Sequence, residues 1–177
     1  EAPGKEDRIT VRHQLTMTTG LDDDVPDKDC TLSPCLLYKA DAGTRWAYHN
    51  APYTLLDSVI QHSTGMSLNQ FYVTRMRNKI GMNGLYLRSG DYNNVLFTTP
   101  RSMARFGLLI LNRGTWASTA VLPDTAYFNA MVSTSQNINL SYGYLWWLNG
   151  KPSFMLPSTQ FVFSGYLSPS APKDMIA

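Results

Sequence analysis

Apolar side chains recur along this chain at helical spacing, in runs that stop at glycine. Thr10 stands before Val11 to Met17, where Val11 and Leu15 are four residues apart, and Gly20 follows as a C-terminal cap, so a short helix is expected there. Asn50 has the side chain of an N-cap, and Pro52 sits in the first turn, where its missing N–H costs nothing. Leu55, Leu56, Val59 and Ile60 then form one stripe ahead of Gly65, which predicts a helix from Asn50 to about residue 63. Ser67 and Gln70 make a capping box for a further helix over 68–80, with Leu68, Phe71, Met76 and Ile80 inward and Arg75, Arg77 and Lys79 on the wet side. Thr99 and Pro100 open another, whose core face is Met103, Phe106, Leu109 and Ile110 and whose end is Gly114; a shorter helix covers Asp124 to Val132.

After Asn139 the pattern changes. SYGYLWWLNGKPSFML is rich in aromatics and broken at Asn149-Gly150, which reads as a strand, a turn and a second extended piece at the edge of a sheet. The last residues, with Pro172 ahead of Asp174, read as a helix just beginning. No repeat and no linker rich in Pro, Gly or Ser divides the 177 residues, so residues 1–177 are expected to form a single, partial domain.

Composition narrows the function. With 44% apolar and 16% charged residues the chain is globular, and 15 Lys plus Arg against 13 Asp plus Glu leave a charge of +2, too small and scattered for a nucleic-acid face. No apolar run reaches the roughly 20 residues that span a bilayer, and EAPGKEDR lacks the core of a signal peptide. Cys30 and Cys35 are either two reduced thiols or a small-loop disulfide of an oxidising compartment, and no His nearby completes a zinc set. The histidines His13, His49 and His62 have no metal-ligand spacing and read as structural or surface residues, while Asp22, Asp23 and Asp24 read as a solvated turn. Neither a Gly-rich phosphate loop nor a G-x-S-x-G elbow occurs.

What stands out is Arg45-Trp46-Ala47-Tyr48-His49-Asn50, a phenol and an amide one residue apart at the start of a strongly signalled helix. This segment, within WAYHNAPYTLLDSVIQHSTGMSL at 46–68, joins ITVRHQLTMTTGL at 9–21, FTTPRSMARFGLLILNRGTW at 97–116 and YGYLWW at 142–147 in an ordered set. The set resembles successive landmarks of the serine β-lactamase and penicillin-binding-protein-like hydrolases, the group of class C β-lactamases, D-Ala-D-Ala carboxypeptidases and related esterases. The resemblance implies an α/β (α+β) β-lactamase/DD-peptidase-like fold, of which this chain is mainly the helical part with a small piece of sheet.

In that family a Ser-x-x-Lys nucleophile motif, Tyr-x-Asn and a Lys-Thr-Gly-like strand meet in one cleft. Only the second is in its place here, as Tyr48-His49-Asn50, so the chain reads as an internal fragment whose nucleophile motif lies upstream and third motif downstream. Relatives often carry His in the stretch matching Thr16-Met17-Thr18; Met17 here argues against a catalytic part for that helix end. Ser170-Ala171-Pro172-Lys173 spells Ser-x-x-Lys, but it follows the other landmarks and reads as a capped helix start.

The resemblance implies that Tyr48 is the catalytic base or proton relay, that Asn50 positions the lysine and the substrate, and that no metal or cofactor is needed. It implies hydrolysis of an amide or ester, whether β-lactam, D-alanyl peptide or ester, through an acyl-serine, in an extracytoplasmic setting. On the residues alone Tyr48 as a half-buried core aromatic and Asn50 as a helix cap are the favoured readings, and only the ordered resemblance reverses the balance. A non-enzymatic binding protein on the same scaffold and an unrelated helical domain are the competing expectations.

Overall fold

A computed structural model describes residues 3–177. The helices are α1 (Val11–Leu15), α2 (Asn50–Thr54), α3 (Leu56–Thr64), α4 (Leu68–Tyr72), α5 (Asn78–Ile80), α6 (Pro100–Leu111) and α7 (Thr125–Met131), with a π-helical stretch, Val73–Arg77, joining α4 to α5. The strands are β1 (Leu85–Ser89), β2 (Asn93–Phe97), β3 (Thr115–Trp116), β4 (Thr119–Ala120), β5 (Ser153–Phe154) and β6 (Phe163–Ser164), paired antiparallel as β1-β2, β3-β4 and β5-β6. Helices with small sheets are what the sequence pattern predicts. None of the described helices is long and apolar enough to cross a membrane.

The chain gathers into two units, Thr54–Phe128 and the residues on either side of it. In the unit Thr54–Phe128, helix ends follow local chemistry. Ser67 accepts from the Gln70 N–H while the Gln70 side chain accepts from Ser67 N–H, a capping box that frees no donor at the start of α4. Thr99 caps α6 by accepting from Ser102 N–H at 3.3 Å. Gly65 and Gly81 adopt the left-handed conformation that ends α3 and α5. The helical path over 68–80 is as the capping box and stripe predict, with one turn loosened to π geometry.

The core of this unit is Tyr72, Ile80, Met82, Leu109 and Val121, with Phe106 and Met76 packed against it. Met103 does not join it. It is 51% exposed, and the inward position belongs to its neighbour Ser102, whose hydroxyl donates to Asn83 Oδ1 at 2.8 Å. The predicted stripe Leu55, Leu56, Val59 and Ile60 is likewise only half-buried, and the helix is broken at Leu55 into α2 and α3. The hairpin β1-β2 carries no expectation from sequence; it turns through residues 90–92, between the paired Ser89 and Asn93.

In the other unit the core is Met17, Trp46, Tyr142 and Met155, rimmed by Tyr48, Tyr53, Ile138 and Trp147. Thr10 and His13 form a capping box at the start of α1, and the helix ends before Gly20 because Met17 itself turns left-handed, at φ 57°. Gly20 is needed for a different reason: a Cβ there would lie 2.1 Å from the Ala40 carbonyl oxygen.

The aromatic segment folds differently from its pattern. Tyr142 and Trp147 form an isolated antiparallel bridge around a tight turn at 143–146, closed by Gly143 N–H to the Trp146 carbonyl, so the reversal comes inside the predicted strand. The second extended piece, β5, pairs with β6 instead. Asn149 spends its amide on the carbonyls of Ser168 and Pro172, and the chain end is a turn followed by a bridge from Ile176 to Leu148, not a helix. Cys30 and Cys35 are bridged, their Cα atoms 5.9 Å apart.

Candidate active site

The segment 43–50 is held by two main-chain bonds and one from a side chain. Gly43 N–H donates to the Thr18 carbonyl at 2.7 Å and Ala47 N–H to the Met17 carbonyl at 2.9 Å, while the Gln160 amide donates to the Trp46 carbonyl at 3.0 Å. Trp46 is fully buried and meets Tyr142 and Trp147 edge to face, at 5.4 and 5.8 Å between ring centroids. Along the next residues burial alternates: Ala47 buried, Tyr48 half-buried, His49 buried, Asn50 half-buried. Tyr48 and Asn50 thus stay accessible while His49 is taken inward.

The Tyr48 ring lies flat on Trp147, at 5.7 Å and 17° between planes, and edge-on to Tyr142 at 6.3 Å. Such packing fixes the phenol ring and with it the locus of the hydroxyl. Tyr48 and Tyr142 meet here, and the two phenols differ in accessibility. Tyr142 is 1% exposed, and burial pushes its pKa well above the ordinary range, so it stays a neutral phenol. Tyr48 is the accessible one.

Asn50 is the first residue of α2. Nδ2 donates to Asp29 Oδ1 at 2.7 Å. A carboxylate only accepts, so this contact fixes the amide's orientation; Oδ1 takes no hydrogen bond among the described residues and is an acceptor suited to an ammonium or a substrate N–H. Neither Asp29 nor Trp147 was among the residues singled out by sequence; Trp147 lies in the YGYLWW landmark, and Asp29 carries no local signal.

Behind the segment, Arg45 donates to Asp23 at 2.5 Å, with side-chain exposures of 15% and 7%. Asp23 is therefore not part of a solvated turn: it is a buried ion-pair partner, while its neighbour Asp22 pairs with Lys39 at 2.8 Å, a hydrogen bond that lowers the Asp22 carboxyl below its usual range. Two of the three histidines make local structural bonds. His13 belongs to the capping box, and His62 Nδ1–H donates to the Ser58 carbonyl at 2.7 Å. Ser170 and Lys173 lie on exposed turns, and the Lys173 ammonium sits 5.2 Å over the Tyr166 ring, so the Ser-x-x-Lys letters do not form a helical nucleophile motif.

His49 is 2% exposed, with neither ring nitrogen hydrogen-bonded among the described residues. Burial lowers its pKa from the ordinary 6.5, an effect larger than the opposing pull of Asp23. Above pH 6.5 both folded and unfolded chains hold it neutral. As pH falls below that, the unfolded chain binds a proton that the folded one refuses, and stability declines by up to about 1.4 kcal/mol per pH unit until the folded pKa is reached. Urea midpoints measured from pH 7.5 to 5.5 are expected to fall more for the wild type than for His49→Gln; parallel curves would refute the buried neutral imidazole.

Comparison with known proteins shows the family and the fold. The model of the family described as Beta-lactamase matches residues 1–166. A Bacillus anthracis protein assigned as a 6-aminohexanoate-dimer hydrolase superposes with a TM-score of 0.68 at 20% identity, covering 99% of this chain and 56% of that one. A Bacteroides dorei protein assigned as a beta-lactamase gives 0.61 at 18% identity, over 78% of this chain and 52% of the other. An octameric penicillin-binding protein homologue from Pyrococcus abyssi gives 0.56 at 16%, over 77% and 42%. These likenesses show the fold, and the chain spans about half the length of each of these proteins. No curated protein is significantly similar.

Proposed function

Because the chain belongs to the beta-lactamase family, we propose that it is part of a serine hydrolase that cleaves an amide or ester bond, in a β-lactam, a D-alanyl peptide or an ester, through an acyl-serine intermediate. The single observation that carries the reading is the pairing of Tyr48 and Asn50: two accessible side chains one residue apart, one ring held on Trp147, one amide held by Asp29.

In the proposed reaction Tyr48 takes the proton from the serine hydroxyl as its oxygen attacks the carbonyl, and returns it to the leaving group as the carbon–heteroatom bond breaks. A second transfer, from water, releases the acyl group. A phenol with an ordinary pKa near 10 does this only where cations favour phenolate, and the lysines of the two other family motifs would supply that field. Asn50 Oδ1, which takes no hydrogen bond among the described residues, would receive the ammonium of one such lysine or an N–H of the substrate, a positioning role rather than a proton-transferring one. The disulfide between Cys30 and Cys35 supports an extracytoplasmic setting.

The test is covalent labelling of the whole protein with a fluorophosphonate or a penicillin, read by peptide mass spectrometry. One labelled serine is expected, at a position beyond residues 1–177. Label on Ser170 would overturn the reading of that motif, and no label on any serine would leave a binding protein on the hydrolase scaffold.

A further inference from the structure

The unit Thr54–Phe128 holds a cavity of about 500 Å³ between the helical path 68–80 and the segment 120–123, within the size range of small-molecule sites. Its wall is apolar, with Ile60, Phe71, Met76 and Leu122 prominent, and no acidic side chain lines it. Two cations do: Arg75 and Lys79, both exposed.

These two differ from the third basic residue of the same helix. Arg77 donates to the Gly84 carbonyl and to Asn78, whereas neither Arg75 nor Lys79 meets an acceptor among the described residues. They stand four residues apart, like charges that repel along one side of a helix. Arg75 lies in the middle of the π-helical stretch Val73–Arg77, a backbone irregularity frequent at functional sites. An apolar hollow rimmed by two uncompensated cations complements a ligand with an apolar body and an anionic head.

We propose that this cavity binds an acyl carboxylate, the chain seated against Phe71, Met76 and Leu122 and the carboxylate received by Arg75 and Lys79. The proposal uses residues of the unit Thr54–Phe128 only and does not depend on the proposed hydrolysis. Charge-assisted bonds from a guanidinium and an ammonium would give the head group its specificity, and burial of the chain would supply the affinity.

Calorimetric titration of the whole protein with decanoate and, separately, with 1-decanol tests it. Saturable decanoate binding is expected, at least ten-fold tighter than decanol, and Arg75→Gln/Lys79→Gln should remove that preference while leaving decanol unchanged. Both positions are exposed, so the fold should survive. Ala120→Trp, at an exposed position of the cavity wall, should abolish binding of both probes by filling the hollow. Equal affinity for the two probes, decanoate binding untouched by the double substitution, or no saturable binding would each overturn the proposal.

Discussion

In the whole protein, Tyr48→Phe should lower kcat/KM by a hundred- to ten-thousand-fold, roughly the contribution of a general base, and leave the melting temperature nearly unchanged. The two halves of that expectation come from different atoms. Phenylalanine keeps the ring that lies on Trp147 at 5.7 Å and edge-on to Tyr142, so the packing of the segment survives. Only the hydroxyl is lost, and with it the group proposed to move the serine proton. Single-turnover acylation with a chromogenic ester or cephalosporin separates the steps: both acylation and deacylation should slow, because the same oxygen serves both. Unchanged turnover would take Tyr48 out of the mechanism.

Asp23→Ala should be the most damaging single substitution to stability near the site, at about 3–5 kcal/mol. The cost would come less from a lost attraction than from what remains: the guanidinium of Arg45, 15% exposed, would be left in a poorly hydrated place without its carboxylate. Arg45 already has one nitrogen, Nη1, with no hydrogen-bond partner among the described residues, so no spare acceptor is at hand. Asp23→Ala/Arg45→Met, which removes both charges and keeps most of the volume, should recover much of the loss. Urea unfolding of the single and double variants measures the difference, and an Asp23→Ala variant within 1 kcal/mol of wild type would show the pair to be solvated. Because Arg45 immediately precedes Trp46, the substitution should also loosen the segment that carries Tyr48.

Helix starts were legible because the determinants are local. Ser67 with Gln70, Thr10 ahead of Val11 and Thr99 with Pro100 each satisfy first-turn donors through side chains three residues away, and all three helices begin where those residues predict. Positions decided by distant packing were not. Met103 has the right period for a core residue, yet Ser102 takes the inward place because its hydroxyl meets Asn83, 19 residues away. The run 141–156 is rich in the aromatics that favour strands, but Leu145 adopts φ 60° and the chain reverses there, a conformation that nothing in a leucine announces.

The candidate site divides in the same way. Tyr48 and Asn50 stand out by adjacency and by the family landmarks, whereas the residues that hold them, Trp147 and Asp29, are 99 and 21 positions away from their partners and become visible only when the chain is folded. Three consecutive acids have the pattern of a solvated turn, yet Asp23 is buried. Its burial is explained by Arg45, 22 residues on.

The central claim is that Tyr48 and Asn50 face the reacting serine, and the most direct measurement is a crystal structure of the whole protein acylated by a slowly hydrolysed β-lactam or phosphonylated on its nucleophile. The Tyr48 hydroxyl is expected within about 3.2 Å of the modified serine oxygen or of a single water bridging to it, with Asn50 Oδ1 accepting from a lysine or from the ligand. A Tyr48 hydroxyl more than about 5 Å from the serine oxygen with no bridging water, and another side chain in the base's place, would contradict it.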